Sequence, residues 1–245
     1  MDSYNHIAEN LERIREGIAA AADKTGRDPS TVSIMGVSKF HPPEAVRAAY
    51  AAGLRLFGEN RVQEAAGKYP PLREEMDGLR VHMIGTLQSN KLNKALALFD
   101  GIQSIDSVEQ LLQLLARVES RVSPISLFLE LHTGEDSKAG FADEDSLYRA
   151  CDAFAAWKAH AGTRAAEEPG VDLAGLMTMA PFTSDESTVR TSFSRLRRAL
   201  ENARLRSGLE SMRELSMGMS NDFTIAVEEG STIVRIGTAL FGLRS

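Results

Sequence analysis

Cysteine is nearly absent. One thiol, Cys151, in 245 residues excludes an intramolecular disulfide framework and any zinc site built on several thiolates. Positive charge is not in excess either. A net charge of −6 and a pI near 5.5 argue against a general nucleic-acid binder, because no global positive field displaces counterions from a phosphate backbone. Any anion must then be held by a local site. No run of 18 apolar residues is present to span a bilayer. The start, Met1-Asp2-Ser3-Tyr4-Asn5-His6, lacks a basic region followed by an apolar stretch, so the expected location is cytoplasmic, without membrane contact. The five histidines, His6, His41, His82, His132 and His160, have no metal-ligand spacing. Long Pro, Gly or Ser linkers, low-complexity runs and short-period repeats are missing as well.

What is present is a chain 43% hydrophobic and 25% charged, long enough for a full core and close to the roughly 250 residues of an eight-stranded α/β barrel. Ile7, Leu11, Ile14 and Ile18 recur at helical spacing, predicting an amphipathic helix within 1–26. Strands are predicted at 32–38, 54–58, 80–85, 101–105, 124–132, 172–179, 213–219 and 232–238. Between them lie helical patterns at 43–52, 60–68, 89–99, 107–121, 143–161, 184–206 and 221–229. Regular alternation implies parallel pairing through right-handed crossovers, and eight strands imply closure. The expectation is a single α/β domain over 1–245: a (β/α)8 barrel of TIM type over 30–245, with an additional helix before it. A doubly wound open sheet is the second architecture, weakened because no strand runs into a G-x-G-x-x-G turn.

In such a barrel the chemistry lies at the C-terminal ends of the strands. Lys39 follows the first strand directly, in a chain with seven lysines against 21 arginines. A partly desolvated amine there would have a lowered pKa and could form a Schiff base; a snorkelling lysine at a strand end is the plainer alternative. After the seventh strand, Ser220-Asn221-Asp222 reads as a helix start with Ser220 as N-cap, and Gly237-Thr238 ends the eighth. The loops after strands seven and eight are where these barrels hold a phosphate, and Ser220, Gly237 and Thr238 supply donors. Arg235, two residues before Gly237, shares its face of the strand and requires an acceptor if it points inward. A pyridine nitrogen, a carboxylate or a phosphate would serve, as would a structural pair with Glu59. Lys138 sits in a Gly-bounded loop after the fifth strand, where a surface lysine balancing Glu135 and Asp136 is the favoured reading. Arg195, Arg197, Arg198, Arg204 and Arg206 read as a solvated helix face. Asp143-Glu144-Asp145 reads as an acidic helix start.

Seven stretches carry a family resemblance: V-S-K at 37–39, F-G-E-N-R-V-Q-E at 57–64, H-M-I-G-T-L-Q-S-N-K at 82–91, G-E-D-S-K-A-G at 134–140, G-L-M-T-M-A-P at 175–181, L-S-M-G-M-S-N-D-F at 215–223 and V-R-I-G-T-A-L-F-G at 234–242. In this order the chain resembles the pyridoxal 5′-phosphate (PLP) homeostasis proteins. The resemblance implies a PLP-binding barrel of fold type III, like the N-terminal domain of alanine racemase. It implies PLP held as an aldimine on Lys39, Arg235 facing the pyridine nitrogen, Ser220, Gly237 and Thr238 on the phosphate, and Asn60 and His82 lining the ring pocket. The implied role is to carry and buffer PLP for vitamin B6 homeostasis without catalysis, with PLP-dependent apoenzymes as transient recipients. A PLP-dependent racemase is the alternative function. Its usual tyrosine acid/base has no evident counterpart, because Tyr4, Tyr50, Tyr69 and Tyr148 fall on helical segments or their ends.

Overall fold

Strands buried on both faces need apolar residues on both faces, and most of the strand residues here are apolar. The computed structural model describes residues 4–118, 123–134, 139–161 and 170–242. Its strands are β1 (Ser33–Val37), β2 (Leu56–Glu59), β3 (Arg80–Met83), β4 (Gly101–Ile105), β5 (Ile125–Glu130), β6 (Val171–Met177), β7 (Glu214–Ser216) and β8 (Ile233–Ile236). All pair in parallel in chain order, and β8 returns to β1, closing the barrel. The helices are α1 (His6–Asp23), α2 (Pro43–Ala51), α3 (Val62–Glu75), α4 (Leu92–Leu98), α5 (Val108–Leu115), α6 (Glu144–Ala161), α7 (Glu186–Ser207), α8 (Phe223–Glu228) and α9 (Thr238–Phe241).

Closure divides the apolar residues into two layers. Met35, Leu56, Phe128, Ala174, Met177 and Ile233 fill the barrel, and a much larger layer lies between sheet and helices. Helix α1 buries Ile7, Leu11, Ile14 and Ile18, the residues whose spacing predicts it, against α2, α8 and α9. Its Asn10 donates to the Leu240 carbonyl at 2.9 Å, tying the two ends of the chain together. Among the described residues, no helix is long and apolar enough to cross a membrane.

Three local expectations change. Helix α3 runs past residue 68 and through Pro70 and Pro71; each proline removes a ladder bond, but Tyr69 and Leu72 are fully buried beside them, and that packing carries the helix across. Ser220 is not an N-cap: α8 begins three residues later, after Asp222. The chain after β8 turns at once into the short helix α9, so Thr238 starts a helix instead of ending a strand. On α7 the arginine-rich face is tied down by neighbouring carboxylates, with Arg195 on Glu144 at 2.7 Å and Arg206 on Asp152 at 2.8 Å. Asp143 accepts from the Ser146 backbone N–H at 2.7 Å, an ordinary cap at the start of α6.

Candidate functional site

The C-terminal ends of the strands surround a cavity of about 770 Å3, within the size range of small-molecule sites. Lys39 enters it from the turn after β1, Asn60 from the residue after β2, Arg235 from β8, Gly237 from the residue after β8, Ser220 from the loop after β7, and Thr238 from the first turn of α9. Six of the seven candidate residues therefore share one wall-to-wall space. Val37, Ile84 and Met177 supply its apolar lining, and the loop after β6, including the exposed Phe182, forms part of the rim.

Ser220 and the start of α9 are joined directly: the Ala239 N–H donates to Ser220 Oγ at 3.2 Å. Gly218 makes the approach feasible. Its φ is +94°, and a Cβ there would lie 2.5 Å from that of Ala226, so only glycine folds the loop back onto α8. Asp222 accepts from the Met219 N–H at 2.5 Å. Burial raises the Asp222 pKa, against that bond and the positive charge of Arg235.

Arg235 is 5% exposed. The structure answers where its charge goes: Nη1 donates to the Ser216 carbonyl at 2.6 Å and to Ser216 Oγ at 2.9 Å, and Nη2 donates to the Thr178 carbonyl at 2.7 Å. Glu59 is not its partner; that carboxylate pairs with Lys68 at 2.8 Å. Burial pushes the guanidinium down to about 10, opposed by Glu130 and Asp222, so it remains a cation at neutral pH. Carbonyls from the ends of two strands hold the guanidinium plane at the cavity wall.

From Arg235 a chain of hydrogen bonds crosses the barrel interior, and the orientation of the Gln103 amide sets its direction. Arginine can only donate. Ser216 Oγ, having accepted, gives its proton to Gln103 Oε1 at 2.7 Å. The Gln103 amide then donates to His82 Nδ1 at 3.1 Å, which fixes His82 as the neutral Nε2–H tautomer. His82 is 5% exposed and lies in the barrel interior, not on the wall of the cavity. Gly101 provides its space, since a Cβ there would be 2.6 Å from the imidazole. Lys138 lies outside the described residues. Among the described residues no group of acidic, His or Cys side chains is arranged to hold a metal ion.

The chain matches the alanine racemase N-terminal domain model over residues 7–245. It is 40% identical to the pyridoxal phosphate homeostasis protein of Pseudomonas aeruginosa over 239 residues, covering 97% of this chain and 96% of that one. It belongs to the pyridoxal phosphate homeostasis protein family. Among solved structures, PipY of Synechococcus elongatus with PLP bound superposes with a TM-score of 0.77 at 34% identity, over 96% of this chain and 100% of that one. The alanine racemase of Corynebacterium glutamicum shares the fold, with a TM-score of 0.62 at 20% identity over 95% of this chain and 61% of that one.

Gln103, Ser216 and Thr178, which orient Arg235 in this member of the homeostasis family, were not singled out in the sequence. The available signal was a polar residue at an inward position of an otherwise apolar strand, as in G-I-Q-S-I at 101–105. Lys68 is likewise unmarked by any motif. Its i,i+4 spacing from Glu64 is visible in the sequence, but its reach to Ser38 is not.

The depth of His82 generates a test. Burial lowers its pKa from 6.5 to about 4, with Asp100 opposing and Arg80 adding to the shift. The folded state thus favours the neutral ring. Its contribution to stability is complete above about pH 6.5 and is lost as the pH falls toward 4, amounting to about 3 kcal/mol. An NMR titration of the folded protein is expected to show no protonation of His82 above pH 5; a midpoint near 6.5 would overturn the assignment.

Proposed function

We propose that this protein binds PLP in the barrel-mouth cavity, holds it as an aldimine on Lys39 and hands it over, acting as a cytoplasmic carrier that buffers vitamin B6. The observation that carries this reading is the donor set on one cavity wall: an amine at Lys39, a buried cation at Arg235, and hydroxyl and amide donors at Ser220, Gly237 and Thr238. That set matches an aldehyde, an aromatic nitrogen and a phosphate. Family membership and the PLP-bound PipY structure support it.

PLP supplies an electrophilic aldehyde carbon. Lys39 would supply the amine for that carbon in its unprotonated form, with one water lost as the C=N bond forms and regained when it is hydrolysed. Asn60 would line the ring pocket, whereas His82 would support it from beneath, through Gln103, Ser216 and Arg235. Arg235, a fixed cation held by carbonyls, disfavours protonation of a facing pyridine nitrogen and so weakens the cofactor as an electron sink. Tyr69 buries its hydroxyl against Ser38 Oγ, and among the described residues no tyrosine lines the cavity. Both observations favour a carrier over a racemase. Recipient apoenzymes would collect the cofactor transiently.

Borohydride reduction of the PLP-loaded protein, followed by peptide mass analysis, is expected to find the adduct on Lys39. Lys39→Ala should stay folded and lose both adduct and visible absorption band, and a full adduct retained elsewhere would refute the assignment. For the phosphate end, Ser220→Ala or Thr238→Val should weaken PLP about tenfold to a hundredfold, because a hydrogen bond to a charged acceptor is worth about 1.5–3 kcal/mol. Unphosphorylated pyridoxal should be nearly unaffected; equal losses for both ligands would locate the phosphate elsewhere. Finally, L-alanine in heavy water is expected to show no α-deuterium exchange at ordinary enzyme rates of about 1–1,000 per second, and such turnover would favour the racemase.

A further inference from the structure

Lys68 is a buried lysine that the cofactor site does not use. Its side chain is 7% exposed, and its ammonium donates to the Ser38 carbonyl at 2.9 Å, Glu59 Oε1 at 2.8 Å and Glu64 Oε1 at 3.0 Å. All three ammonium hydrogens are thereby engaged. Glu64 Oε1 also accepts from the Phe40 backbone N–H at 2.6 Å. The two peptide groups that flank Lys39 are therefore both held: the one before it through the Ser38 carbonyl, the one after it through the Phe40 N–H. Beneath them, the Tyr69 hydroxyl donates to Ser38 Oγ at 2.7 Å, and Ser38 Oγ donates to Glu59 at 2.8 Å.

Phe40 is the one non-glycine residue with positive φ among the described residues, at +66°. An L-residue with a bulky side chain disfavours this region about tenfold, so the turn needs an external hold. A buried ion pair is a poor way to gain stability, since desolvation cancels most of the attraction. Here its bonds converge on the two peptide groups that flank a single residue.

We infer that Glu64 and Lys68 are positioning residues that pin the backbone of Lys39 and so direct its amine into the cavity. The inference rests on the cofactor reading above for its consequence, but the clamp itself can be measured without ligand.

Glu64→Ala is the test variant, since Lys68 has bonds to Glu59 and the Ser38 carbonyl that do not involve Glu64. In the ligand-free protein, hydrogen exchange at the Phe40 amide should accelerate about tenfold, with the amides of the 218–220 loop unchanged. With PLP, the apparent dissociation constant should rise about tenfold. Pyridoxine 5′-phosphate, which has an alcohol in place of the aldehyde, should bind within about twofold of wild type. In a Phe40→Gly background the same substitution should cost PLP less than about threefold, because glycine accepts positive φ unaided. Unchanged exchange at Phe40, equal losses for the two ligands, or the same loss in both backgrounds would each overturn the clamp. A wild-type protein with no adduct on Lys39 would refute the cofactor reading alone, and the exchange measurement would still decide the clamp.

Discussion

Pairing of β8 with β1 is the constraint on which the rest of the molecule depends. It sets Met35 beside Arg235 and Gly36 beside Ile236, joining segments about two hundred positions apart in the chain. One step further along the strands, an added Cβ on Gly237 would lie 3.7 Å from that of Val37. The lysine that follows β1 and the donors that follow β8 consequently face one cavity. Parallel strands make this unavoidable, because every strand ends at the same rim, and the helix after each returns the chain to the opposite side.

A closed barrel leaves its interior dry, so polar residues inside it must find partners among themselves. The chain from Arg235 through Ser216 and Gln103 to His82 satisfies each group in turn. Its positive end faces the cavity and its neutral end lies deep between strands. Removing Gln103 would leave the Ser216 hydroxyl proton and His82 Nδ1 unpaired, which is costlier than the net value of either bond. Outside the barrel wall, Lys68, Glu59, Glu64, Tyr69 and Ser38 form a second, mostly buried group under the turn that carries Lys39, with Glu59 Oε2 left without a hydrogen-bond partner. One group orients the cation and the other orients the amine.

As proposed, the arrangement would hold a reactive aldehyde more readily than transform a substrate on it. Under the proposed role, the amine makes a reversible bond, and the fixed guanidinium suppresses the electronic form of the cofactor that stabilises carbanions. The barrel fold shared with alanine racemase does not carry racemase chemistry with it, because function resides in the residues at the rim and not in the strand order.

The sequence by itself determined the periodic features. Alternation of strand and helix patterns led to eight parallel strands and closure, and Ile7, Leu11, Ile14 and Ile18 marked the buried face of α1, because burial of one face writes its period into the chain. Candidate residues at strand ends were legible for the same reason: a parallel barrel collects them on one rim. What tertiary structure alone decided was depth and partner choice. Residue spacing places His82 near a strand end, but only the closed barrel sets it beneath the cavity against Gly101 and Gln103. Proline chemistry ends α3 near residue 68, yet the burial of Tyr69 and Leu72 carries it to Glu75. Ser220 has a capping residue's composition but meets Ala239 across the β7–β8 seam instead. Glu59 turns to Lys68 and leaves Arg235 to carbonyls. Local propensity is a weak bias of a fraction of a kcal/mol per residue, while a buried charge or an unpaired polar group costs several times as much, so wherever the two conflict the three-dimensional partner wins.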